Sequence, residues 1–94
     1  MNLDKSKKRI AKKVKMGFHG YPQIAIEYFG RTTELATEVV VLFTLEEGGE
    51  TQEQRFVSKT DAREDEAIQS ALVKMIERSE TKTVLQKIDV SLLA

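Results

Sequence analysis

Cysteine is absent from this chain, which excludes disulfides, a thiolate nucleophile and a cysteine-based zinc site. Histidine occurs once, at His19, so a serine–histidine–aspartate triad or a histidine-based metal site would have to be built around that one ring. Long apolar runs are also missing. The longest, Val39 to Phe43, covers five residues, far short of the ~18 needed to span a bilayer. The lysine-rich start lacks the apolar stretch of about 7–15 residues that follows the charges of a secretory signal. It is followed instead by Met-Gly-Phe-His-Gly-Tyr-Pro. These absences point to a soluble, cytoplasmic protein. No internal repeat or low-complexity tract is present, and 94 residues leave room for one core.

The charge distribution is the most informative feature present. Fifteen basic and fifteen acidic residues cancel overall. Seven of the basic ones, Lys5, Lys7, Lys8, Arg9, Lys12, Lys13 and Lys15, fall in the first fifteen positions against Asp4 alone, a net of +6. The remaining residues carry eight basic and fourteen acidic groups, a net of −6. A split of this kind bears on partners rather than on fold.

Element by element, the pattern predicts an α+β fold. In residues 3–15, Leu3, Ile10, Ala11 and Val14 fall at positions compatible with one helical face, with lysines around the rest, and a helix is expected over about 4–15. Like charges at i,i+4 oppose that helix, so its formation requires Ile10 and Val14 to dock; otherwise residues 1–16 form a basic arm beside a single domain over 17–94. Gly17, Gly20 and Pro22 interrupt any helix. A first strand over 23–29 alternates Ile24, Ile26 and Tyr28 on one side with Ala25, Glu27 and Phe29 on the other. A second, over 37–45, is apolar on both sides and reads as a central strand. Gly48-Gly49 offers a two-residue hairpin turn into a third strand over 51–58, which sets Val41 opposite Phe56, Val40 opposite Val57 and Glu47 opposite Glu50. Asp61 is expected to cap a second helix whose stripe is Ile68, Ala71, Leu72, Met75 and Ile76. Residues 83–92 alternate in part and read as a fourth strand or a docked tail. The expected architecture is an antiparallel three- or four-stranded meander with the second helix on one face, in the order α-β-β-β-α with or without a closing strand.

This element order resembles that of double-stranded-RNA-binding domains. That family carries a lysine-rich start to its second helix, which grips phosphates. The corresponding stretch here, Thr60-Asp61-Ala62-Arg63-Glu64-Asp65-Glu66, is acidic and repels them, so the resemblance stops at element order and does not extend to function.

No residue pattern assembles into catalytic chemistry. His19 reads as a turn residue, the Asp61–Glu66 acids as helix capping rather than a calcium loop, and Glu46, Glu47, Glu50 and Glu53 as a solubilising hairpin tip. Gly48-Gly49 lacks the lysine and helix of a phosphate loop. The expectation is therefore a non-enzymatic protein with no cofactor, no metal and no small-molecule substrate. Two contact surfaces remain. One is the second sheet face, with Phe29, Val40, Leu42 and Val57 interrupted by Glu27, Glu53 and Arg55. It asks to be covered by the N-terminal stripe, by Leu92 and Leu93, or by a second copy. The other is the basic arm with Arg31 from the first loop and Phe18 and Tyr21 nearby, a polyanion or nucleic-acid surface. A membrane-surface role for the arm is disfavoured by its narrow apolar stripe. Protein–protein contact or homodimerisation is the leading expectation, and nucleic-acid binding the alternative.

Overall fold

The computed structural model describes residues 2–93. Its elements are α1 (Leu3–Lys15), β1 (Gln23–Gly30), β2 (Glu38–Thr44), β3 (Thr51–Val57), a 3₁₀ turn (Ala62–Glu64), α2 (Glu66–Arg78) and β4 (Thr83–Leu92). The four strands form one sheet in the order β3-β2-β1-β4. β1–β2 and β2–β3 are antiparallel, but β4 lies parallel to β1. The sheet is thus mixed rather than an antiparallel meander, and of the two alternatives for residues 83–92 the strand is the one formed. The full order is α-β-β-β-α-β, with a 3₁₀ turn ahead of α2.

Both helices lie on the same face of the sheet. Ile24, Ile26 and Tyr28 of β1, Val39 and Val41 of β2, and Val84 and Val90 of β4 meet Ile10 of α1 and Ile68, Leu72, Val73 and Ile76 of α2 in one core. The molecule measures 33 × 31 × 19 Å. The short dimension fits one helical layer on one sheet, since packed layers sit about 10 Å apart. None of the described elements forms a third layer.

α1 forms because its apolar stripe has somewhere to go. Ile10 is 1% exposed and Ser6 is fully buried against α2, with Ser6 Oγ and Ser70 Oγ 3.2 Å apart. Asn2 caps the start by accepting from the Lys5 amide at 2.8 Å, a signal the charge pattern obscured. Lys12, Lys13 and Lys15 stand in the last turn, where cations favour the helix dipole.

Three sequence expectations shift locally. The β2–β3 register pairs Val39 with Phe56, Val40 with Arg55, Val41 with Gln54 and Thr44 with Thr51. It lies two residues from the expected pairing. The connection is a longer loop with a tight turn closed by the Gly49 amide on the Glu46 carbonyl at 3.0 Å, and Gly48 alone adopts positive φ, +77°. Glu47 and Glu50 are thereby relieved of facing each other. α2 starts at Glu66, with Asp65 rather than Asp61 as its cap; Asp61 instead caps the 3₁₀ turn by accepting from the Arg63 amide. The buried residues of α2 are Ile68, Gln69, Leu72, Val73 and Ile76, a small rotation of the expected stripe that leaves Met75 partly buried against the core and Ala71 half-buried. The rotation follows from α1, which lies alongside Val73 and Ile76 and buries that flank.

Candidate functional site

The sheet face away from the helices is built by strand register. Across β3-β2-β1-β4 its rows read Glu53–Leu42–Ala25–Leu85, Arg55–Val40–Glu27–Lys87 and Val57–Glu38–Phe29–Ser91. Phe29, Val40, Leu42 and Val57 therefore share one surface. Leu42 and Phe29 are half-buried, Val57 is 72% exposed at one edge and Leu85 is 46% exposed at the other. Val40 is only 4% exposed although no layer lies over it, because the longer side chains around it shield a central strand. Charges of both signs interrupt the apolar residues, Glu27 and Glu38 on the inner strands and Glu53, Arg55 and Lys87 on the outer ones. Arg55 pairs with Glu38 along the strand edge, and Glu27 stands opposite Lys87 in register. The N-terminal stripe does not cover this face, since α1 packs on the other one. Leu93 borders only its rim, beside Val57, Leu35 and Arg31 in a cleft of about 480 Å³.

The second surface is α1 itself, and the structure divides its seven cations. Lys7 Nζ lies 2.6 Å from Glu64 Oε1 and Arg9 Nη1 lies 2.9 Å from Glu77 Oε1. Lys13 Nζ donates to the Thr81 carbonyl at 3.2 Å. These three flank the buried stripe and reach sideways to the 3₁₀ turn, α2 and the α2–β4 loop. Lys5, Lys8, Lys12 and Lys15 are exposed, and their side chains have no hydrogen-bond or ion-pair partner among the described residues. The hairpin acids Glu46, Glu47 and Glu50 do not neutralise the arm; acids of the 3₁₀ turn and α2 do so in part. Arg31 stands apart, in the loop after β1 among Thr32, Leu35 and Glu38, and joins no α1 lysine. Phe18 and Tyr21 pack edge to face, with ring centroids 5.7 Å apart at 77°, and Phe18 is 65% exposed.

The remaining sequence candidates are occupied locally. His19 is exposed, with Nε2 2.9 Å from the Met16 carbonyl. Glu64 pairs with Lys7. Asp65 Oδ1 accepts from the Ile68 amide at 3.2 Å, and its Oδ2 accepts from the Ser58 hydroxyl at 2.9 Å. Among the described residues no group of three His, Asp or Glu side chains is placed to hold a metal ion, and no helix is long and apolar enough to cross a membrane.

Sequence reasoning missed a polar network under α1. The Tyr28 hydroxyl donates to Gln86 Oε1 at 2.9 Å and accepts from Gln69 Nε2 at 3.0 Å, while Gln69 Nε2 also donates to the Ala62 carbonyl at 2.9 Å. Next to it, Arg63 donates to both oxygens of Asp61 and to the carbonyls of Glu34 and Ile88. The Ile88 carbonyl is available because β4 skips two residues there, passing from Lys87 opposite Glu27 to Val90 opposite Tyr28. This fork ties the β1–β2 loop and the β4 bulge to the 3₁₀ turn. The one legible sign was Gln69, which sits at i, i+3, i+4 and i+7 with Leu72, Val73 and Ile76 and so shares their buried face.

The network links the stability of the fold to pH. Hydrogen bonds from Arg63 hold the Asp61 carboxyl below the usual carboxylate range. A lowered folded-state value contributes stability above the unfolded pKa of about 3.9, and that stability is lost as pH falls through the folded value. Burial raises the Tyr28 phenol, and its contribution is complete below about pH 10 and lost as pH rises through the raised value. Thermal melts across pH should give a plateau that falls at both ends. Asp61→Asn should flatten the acid limb and Tyr28→Phe the alkaline limb. An acid limb unchanged by Asp61→Asn would show that the Arg63 fork does not stabilise the fold. No protein-family model, curated protein or solved structure matches the chain.

Proposed function

We propose that this protein is a non-enzymatic interaction module that self-associates through the sheet face carrying Ala25, Phe29, Val40, Leu42, Val57 and Leu85. One observation carries the reading: both helices lie on the same side of the sheet, so this face has no cover among the described residues. Strands about 4.8 Å apart and about seven residues long give the face a planar footprint of roughly 20 by 23 Å. With side chains added, such a face approaches the roughly 800 Å² per partner of a standard interface. A second copy fits better than an unrelated partner because the face is self-complementary in kind. It sets apolar residues around Glu27 in the middle row, with Glu53, Arg55 and Lys87 on the two edge strands, and a two-fold axis places the carboxylates of such a mixed surface against the cations of its copy.

Sedimentation equilibrium at tens of micromolar tests this. The wild-type chain should sediment at twice 10.7 kDa. Val57→Lys combined with Leu85→Lys should return it to 10.7 kDa, weakening association by at least about tenfold, or 1.4 kcal/mol. Both side chains are exposed at strand edges, so the dilute monomer should melt as before. A wild-type monomer across that concentration range would sink the dimer, and a dimer unaffected by the double substitution would place the contact elsewhere.

A further inference from the structure

The four unpartnered lysines of α1 form a track. At about 100° per residue, Lys5, Lys8, Lys12 and Lys15 fall within an arc of about 80°, centred opposite Ile10. They run about 15 Å along the helix at 1.5 Å per residue. Lys5/Lys8, Lys8/Lys12 and Lys12/Lys15 are surface neighbours at i,i+3 or i,i+4, so each pair repels. Asp4, four residues before Lys8, and the helix C-terminus beside Lys12 and Lys15 offset that repulsion only in part. The three flanking cations reach carboxylates of the 3₁₀ turn and α2 or the Thr81 carbonyl, whereas these four face solvent. Asp4, at the N-terminal edge, is the one acid of α1. Ala11 and the half-exposed C-cap Met16 border the arc, and together with Phe18 they make a narrower apolar surface than the Trp- and Leu-rich face that seats a helix in a bilayer.

We infer that this track binds the phosphate backbone of a single-stranded nucleic acid. An extended ligand fits because the charges are strung along a line too long for one compact phosphate. Lysines recognise phosphates as point charges, and the arc holds no arginine, asparagine or glutamine to read base edges, so binding is independent of sequence. A single strand is favoured over a duplex by Phe18. Its ring is 65% exposed, stands three residues beyond Lys15 and is braced edge to face by Tyr21, as a stacking platform for an unpaired base requires. This surface and the proposed dimer face lie on opposite layers, and neither reading depends on the other.

Fluorescence anisotropy with the full chain and a labelled oligothymidine of about twenty residues tests the inference. Four phosphate contacts give a slope of about −3 for log K against log salt, so affinity should drop roughly fiftyfold between about 50 and about 200 mM salt. Lys8→Glu with Lys12→Glu should weaken binding at least tenfold without lowering the melting temperature. A charge-matched Arg31→Glu with Lys59→Glu control should stay within about twofold, because those residues lie off the track. Phe18→Ala should weaken binding about tenfold, the loss of one stacked base. Absence of binding at the lower salt would overturn the inference, as would equal losses from the two double variants, which would mean that only net charge matters. A duplex of the same length bound as tightly would remove the single strand. Anionic phosphatidylserine vesicles that outcompete the oligonucleotide would identify the ligand as a membrane surface instead.

Discussion

Ile10→Ala is expected to lower the unfolding free energy by about 3 kcal/mol, within the range for truncating a fully buried isoleucine. Ile10 is 1% exposed and sits at the centre of the face that α1 turns to α2 and the sheet. Its burial has to outweigh the mutual repulsion of a helix with seven cations. The ion pairs of α1 are too weak to do this. Lys7, Glu64, Arg9 and Glu77 have side chains 41–57% exposed, and exposed pairs contribute about 0–1 kcal/mol each. Lys7→Gln and Arg9→Gln should therefore each cost less than about 1 kcal/mol. Urea denaturation ranks the three variants directly. If Ile10→Ala costs no more than Lys7→Gln, α1 is not held by its apolar contact, and the lysine track loses its rigid support. The same reasoning favours point substitutions on the solvent face over deletion of residues 1–15 in any binding test. Deletion would uncover the core around Tyr28, Val73 and Ile76 and confound binding with unfolding.

Much of the fold was legible because burial imposes a period. The alternation in Gln23–Gly30 marks Ile24, Ile26 and Tyr28 as inward, and all three are 1% exposed. The hairpin register was not legible from the same pattern. A slip of two residues leaves every side chain on its own face, so inward and outward alternation cannot detect it. Only the turn and the charge contacts at the tip distinguish the two registers. The parallel pairing of β4 follows from geometry that periodicity does not express. A meander leaves two free edges, those of β1 and β3, and these strands run in the same direction. α2 returns the chain to the start of β3, so β4 must run parallel to whichever edge it joins. Composition then decides between them. β3, Thr51–Val57, is largely polar, whereas β1 carries the isoleucines and Tyr28. Joining β1 buries more apolar surface and moves β1 into the interior of the sheet.

The candidate surfaces divide in the same way. The sequence places Phe29, Val40, Leu42 and Val57 on one face by strand parity, which survives the register slip. It does not reveal that the N-terminal helix packs on the opposite face, because a short apolar stripe fits either side. In α1 the net charge was plain, but its division was not. Which lysines reach Glu64, Glu77 or Thr81 depends on where α2 and the 3₁₀ turn stand, and that is a property of the packed structure.

Gly30→Ala is expected to cost about 3 kcal/mol, although glycine is not demanded there by positive φ. Gly30 closes β1, and the loop over 31–37 folds back across it. A methyl group at this position would lie 2.0 Å from the Leu35 carbonyl oxygen and 3.0 Å from that of Thr32. Both are backbone atoms, so relief requires moving the loop rather than turning a side chain. That loop is tethered on both sides. The Glu34 carbonyl accepts from Arg63, the Ala36 carbonyl accepts from the Ala62 amide at 2.6 Å, and Ala36 is fully buried. Gly48→Ala supplies the contrast. Gly48 needs positive φ, +77°, but an added methyl group there meets nothing within 4 Å, so its cost is about 1 kcal/mol of backbone strain. At about 4–8 °C of melting temperature per kcal/mol for a domain of this size, Gly30→Ala should lower the melting temperature by more than ~12 °C and Gly48→Ala by less than ~8 °C. The reverse order would mean that the β1–β2 loop does not close over the strand end. The position also reaches the proposed interface, because the same loop supplies Leu35 and Thr37 beside Val57. A loop displaced by the methyl group of Gly30→Ala should weaken self-association as well as folding, whereas a substitution at Gly48, remote from the apolar rows of the face, should leave the dimer intact.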